Sequence, residues 1–280
     1  MAPLGWVIVY AVGLWWVATG IILLLNHLPS RTFRLSLSAA TVLLGVSLLG
    51  VGIAARRPGI TAAYLGFTCA LLAWGWQEMT FFMGLITGPR RVADQQARGW
   101  HRFWQAIETL LYHEAAIATV GLVIVALSAG RPNQVACWTY LSLWAMRISA
   151  KLNVYLGVRN LNENWVPRRL AYLKAYMVKR RMNPLLPVSV TLGTIAATVF
   201  IGRALVPHAS RIGMVTNGFV GVILALGVVE HLFMVLPLDL ARVWGGFAPS
   251  CPVAKDLPPI TTCPHMSGAL PLLPPALERS

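Results

Sequence analysis

The sequence predicts an all-α fold: a polytopic membrane helix bundle of about seven transmembrane helices, with the N-terminus outside and the C-terminus inside. Three observations predict it. The 280 residues are 57% hydrophobic and 11% charged, with a mean hydropathy of +0.65, too little polar surface for a soluble domain of this size. The apolar residues form continuous runs of about 20, long enough to cross a core of about 30 Å as helices and unlike the alternation of a membrane β-barrel. With the N-terminus outside, sixteen of the 23 Lys and Arg fall on the inner side and five on the outer side, as the positive-inside bias requires.

The first run, 3–26, has no preceding Lys or Arg and no small-residue cleavage site at His27-Leu28-Pro29, so it reads as a retained helix and not a signal peptide. Runs 35–55 and 60–87 follow. Gly88-Pro89-Arg90-Arg91 is a helix stop that opens a connection over 88–103. Runs 104–129 and 134–157 come next. The connection 158–184 opens on the turn-prone Asn160-Leu161-Asn162-Glu163-Asn164. Within it, Leu170, Leu173, Tyr176 and Met177 recur at helical spacing among Arg168, Arg169, Lys174, Lys179, Arg180 and Arg181. That pattern predicts a basic interfacial helix near 165–181, lying on anionic lipid or docking a partner. Runs 185–206 and 213–236 complete one membrane domain, 1–244. Half of the 18 prolines lie from Pro237 onward, so 245–280 is expected to be a disordered cytoplasmic tail.

This charge distribution explains the net +14 as topology and lipid contact; no nucleic-acid partner is expected. Cys69 and Cys137 read as small apolar fillers. Cys251, Cys263 and His265 match no structural zinc spacing, so no metal site is assigned.

Ionisable residues inside four of the runs carry the functional information, because a charge at this depth costs at least a few kcal/mol without a partner or a task. They are Glu78, His113-Glu114, Arg147 with Lys151, and Glu230-His231. Counted from the inner ends of the runs they share one depth, roughly 9–15 Å in at 1.5 Å per residue. Arg147 and Lys151 are i,i+4 and share a helix face, where the three glutamates are expected to meet them. The layer reads either as an ion-pair network that fixes helix pairing or as the seat of a ligand, with His113 or His231 as a ligand to pigment magnesium. Glu and His are adjacent in each pair, unlike the Glu-x-x-His of bundle di-iron sites. No triad, P-loop or dinucleotide fingerprint appears in a suitable context, and no catalytic residue is assigned.

At these same residues the chain resembles the PuhE-type photosynthetic complex assembly proteins of purple and related phototrophic bacteria. The matching stretches include NHLPSRTFRLS (26–36), GWQEMTFFMGLITGPRR (75–91), RFWQAIETLLYHEAAI (102–117), WAMRISAKLNVYLGVRNLNEN (144–164) and VVEHLFMVLP (228–237). The resemblance implies an inner (intracytoplasmic) membrane helper in building the reaction-centre and core-antenna complex. Reaction-centre or core-antenna subunits are then its partners, and bacteriochlorophyll or a precursor its pigment. It implies no catalytic residue. A membrane enzyme or carrier acting on a tetrapyrrole is the alternative.

Overall fold

The computed structural model describes residues 2–94, 96–161, 166–207 and 210–236; the Pro-rich segment 245–280, with Cys251, Cys263 and His265, lies outside them. The described residues are almost wholly helical and include no named strand. Among the described residues, eight α-helices run in chain order: α1 (Ala2–His27), α2 (Phe33–Ala55), α3 (Ile60–Phe82), α4 (Gly99–Glu108), α5 (Leu111–Ser128), α6 (Val135–Leu156), α7 (Leu185–Leu205) and α8 (Arg211–Phe233). A 3-10 segment, Arg168–Tyr176, lies between α6 and α7.

Among the described residues, five helices, α1, α2, α5, α7 and α8, are long and apolar enough to cross a membrane. α3 and α6, at 23 and 22 residues, are long enough but fall short of that apolarity. Their Trp, Tyr, Gln and charged residues are the reason, and these two helices supply Glu78, Arg147 and Lys151 to the polar layer.

Short turns make neighbouring long helices antiparallel. The starts of α1, α3, α6 and α8 therefore gather at one end, called here the first end, and their C-termini at the second. α3 is central: Ala63, Phe67, Ala70, Ala73, Trp74 and Gln77 are all buried. One core cluster joins Val51, Trp74, Ile117, Ile124 and Tyr140 from α2, α3, α5 and α6. A second joins Val7, Phe67, Phe219 and Ile223 from α1, α3 and α8, with the Phe67 and Phe219 rings stacked at 4.2 Å. The periphery is apolar too. Leu35 (76%), Leu49 (71%), Leu122 (70%) and Trp6 (69%) are exposed, far more apolar surface than a water-facing protein leaves bare.

Two expected spans are shortened. The run 60–87 stops at Phe82, where Gly84 takes φ 70°, a left-handed conformation natural to glycine. The Leu85 and Ile86 N–H groups both turn back to the Thr80 carbonyl. The run 104–129 is broken into α4 and α5 at Thr109-Leu110. Gly88 seats there so closely that a Cβ would lie 1.9 Å from the Glu108 carbonyl oxygen, and the His113 N–H donates to the Thr87 carbonyl at 2.8 Å. Apolar residues continue through the break, so hydropathy alone does not mark it.

The basic segment also differs from expectation. Arg168–Tyr176 is a 3-10 helix. At three residues per turn, Leu170, Leu173 and Tyr176 stack on one face and are buried. Leu170 and Leu173 pack with Phe81, against Phe82, Leu110 and Met177. The apolar face expected to meet lipid thus meets the bundle.

Candidate functional site

Early termination of α3 and late initiation of α5 bring the polar layer nearer the helix ends than sequence counting suggests. Glu78 lies four residues before the end of α3, ~6 Å, and His113-Glu114 open α5.

Arg147 and Lys151 reach opposite neighbours from one face of α6. The Arg147 Nη2 donates to Glu78 Oε2 at 2.5 Å. The Lys151 ammonium pairs with Glu114 Oε1. Trp144 Nε1 donates to the other Glu114 oxygen at 3.2 Å. One turn further, the Tyr140 hydroxyl donates to the Ile117 carbonyl at 3.1 Å and receives Gln77 Nε2 at 3.4 Å. Tyr140, Trp144, Arg147 and Lys151 thus form one i,i+3/i+4 stripe that ties α3 and α5 to α6. Gln77, Tyr140 and Trp144 were not singled out in the sequence; the stripe spacing alone marks them.

Glu230 does not join the pairs. It is exposed on α8 and has no ion pair or hydrogen bond among the described residues. With Glu230 outside the pairs, the two remaining carboxylates and two bases balance.

The two histidines have opposite environments. His231 is buried and fully engaged: Nδ1 lies 2.8 Å from the Gly227 carbonyl and Nε2 2.9 Å from the Ser149 hydroxyl. A carbonyl only accepts, so Nδ1 carries the proton and Nε2 accepts from Ser149. His113 is wholly buried with neither ring nitrogen hydrogen-bonded. Its ring lies against Phe81, centroids 4.5 Å apart at 34°. Glu78 Oε1, Gln77 Oε1, Thr87 Oγ1 and Arg147 Nε are likewise buried without partners. Such groups ordinarily hold a water or a ligand. No cluster of three metal-ligating side chains occurs among the described residues.

The six basic residues singled out in the connection, Arg168, Arg169, Lys174, Lys179, Arg180 and Arg181, are all exposed. Arg169 is spent on the protein. Its Nε donates to the Phe82 carbonyl at 2.9 Å and its Nη2 to the Asn26 carbonyl at 3.0 Å. The guanidinium sits 4.4 Å from the Phe33 ring centre, and burial lowers its pKa. It clamps the ends of α1 and α3 to the start of α2.

An all-helical bundle with five span-length apolar helices and an internal ion-paired layer is compatible with a multi-pass membrane protein. The chain belongs to the family described as "Protein of unknown function (DUF3623)", whose model matches residues 1–252. It is 33% identical over 243 residues to the "Uncharacterized 30.4 kDa protein in puhA 5'region" of Rhodobacter capsulatus, covering 84% of this chain and 88% of that one. No solved structure matches it.

Proposed function

We propose that this protein is an integral-membrane assembly factor for the bacterial photosynthetic reaction-centre and core-antenna complex, linked to bacteriochlorophyll supply or insertion. The carrying observation is the near-full-length relative encoded in the puhA 5' region, a position that suggests a photosynthesis-related role. The resemblance to PuhE-type assembly proteins points the same way.

The site supports a division of labour in that role. Glu78–Arg147 and Glu114–Lys151 hold α3, α5 and α6 together, and His231 is committed to Ser149 and Gly227. His113 alone of the two histidines has free ring nitrogens, a donor type that fits the magnesium of a bacteriochlorophyll. Bound pigment would supply the light-absorbing group to be delivered; the protein supplies the imidazole and the apolar wall of Phe81. In this reading seven helices span the inner membrane, with the N-terminus outside and the polar layer toward the cytoplasm.

The test is gentle purification of tagged protein from phototrophic cells, followed by pigment spectra and identification of co-purifying chains. Reaction-centre or core-antenna subunits with tetrapyrrole absorption are expected. His113→Gln should accumulate normally yet lose pigment, whereas His231→Gln should keep it. Co-purification of neither subunit nor pigment would defeat the proposal. Turnover of a tetrapyrrole by reconstituted protein would favour an enzyme or carrier instead.

A further inference from the structure

The first end of the bundle carries Arg56, Arg57, Arg131, Arg203 and Arg211, and no carboxylate lies among the residues described there. Neither Arg56 nor Arg57 has an ion-pair partner in the described protein, and both are exposed. A groove of about 460 Å³ between α2 and α5 runs up to this pair. Its walls are Gly45, Leu48, Leu49, Gly52, Ile53 and Leu127. The groove exists because two glycines on one face of α2 present no side chain. A Cβ at Gly45 would meet nothing within 4 Å, and one at Gly52 only Leu127, at 3.7 Å. Both flanking helices are long and apolar enough to cross a membrane.

We propose that this groove is a binding site for one anionic glycerophospholipid, with an acyl chain lying along Gly45–Gly52 and the headgroup phosphate held by Arg56 and Arg57. The match is in chemistry and order: an apolar slot parallel to the helices, ending in two unpaired guanidiniums at one end of the bundle. Guanidinium pairs bind phosphate oxygens in bidentate fashion. An end with five cations and no acid also needs anions from outside the chain to relieve its self-repulsion. The site is far from His113 in sequence and structure, and the proposal does not depend on the assembly role.

Native mass spectrometry after detergent exchange tests it, with phosphatidylglycerol and phosphatidylcholine supplied separately at equal concentration. Wild-type protein should retain about one phosphatidylglycerol per chain. Arg56→Gln/Arg57→Gln should lower retention about thirtyfold, the equivalent of about 1 kcal/mol for each basic residue. Gly45→Phe fills the slot where no neighbour is displaced, and should expel the lipid while leaving helix content and thermal midpoint in delipidated detergent unchanged. Gly52→Phe is the second blocking variant. Equal retention by the Arg variant and wild type, by Gly45→Phe and wild type, or of phosphatidylcholine and phosphatidylglycerol would overturn the proposal.

Discussion

Arg147 and Lys151 sit one helical turn apart yet answer to different helices, Arg147 to Glu78 on α3 and Lys151 to Glu114 on α5. Removing one member strands its partner in a partly buried layer, at about 3–5 kcal/mol, whereas removing both leaves no uncompensated charge. Glu114→Gln or Lys151→Met should therefore lower the thermal unfolding midpoint in detergent sharply. The double variant should recover most of the loss, and additive effects would show that the pair is uncoupled. This pairing was legible in the sequence, because charge cost and i,i+4 spacing both point to it. The lack of a direct ion pair at Glu230 was not: the composition of α8 does not reveal which helix surface stays uncovered. Nor does any local signal distinguish the engaged His231 from the unpartnered His113; the difference lies in Ser149, on another helix.

At the scale of elements, the 3-10 segment acts as a strap across the second end. Leu170 is 1% exposed, so Leu170→Ala should cost about 2–5 kcal/mol locally. Arg169→Ala would remove the clamp on the Phe82 and Asn26 carbonyls. Both variants should make 166–181 more sensitive to protease while leaving the long helices protected; unchanged cleavage would show that the strap does not depend on these contacts. A second tether holds α4. Asp94 accepts from the Gln96 N–H at 2.9 Å and from Gln105 Nε2 at 3.3 Å, and these bonds hold its carboxyl below the usual range. A lowered folded-state pKa means the tether's contribution is present above the ordinary value near 4 and fades as pH falls through the lowered one. With the intrinsic pH dependence of exchange divided out, amide protection in α4 should fall below about pH 4, and Asp94→Asn should abolish that dependence. The sequence showed the apolar residues of both elements. It concealed their partners, since period-three burial looks helical until the i,i+3 register is seen, and the α4–α5 break depends on the close approach of Gly88.

For the molecule as a whole, the set of long helices was the most legible feature, because length and apolarity announce five of them among the described residues. Orientation rests on charge asymmetry. Under the proposed topology, cysteines placed singly in the Arg56–Gly59 turn should react with an impermeant maleimide in intact cells, and cysteines in 177–181 only after lysis. The reverse pattern would invert the bundle and put the polar layer toward the periplasm.

The two ion pairs also bear on how the chain is made. In the proposed seven-span topology α6 is a poor candidate to enter lipid unaided, since it arrives with two cations and each disfavours partitioning from the translocon by about 2.5–3.5 kcal/mol at a helix centre. Its counter-ions are on α3 and α5, which emerge earlier from the ribosome. By the time α6 is synthesised, both carboxylates can already be waiting, and synthesis order itself supplies the neutralisation. Nascent chains lacking Glu78 and Glu114 should then stall α6 at the aqueous side, a failure of biogenesis and not of the finished fold.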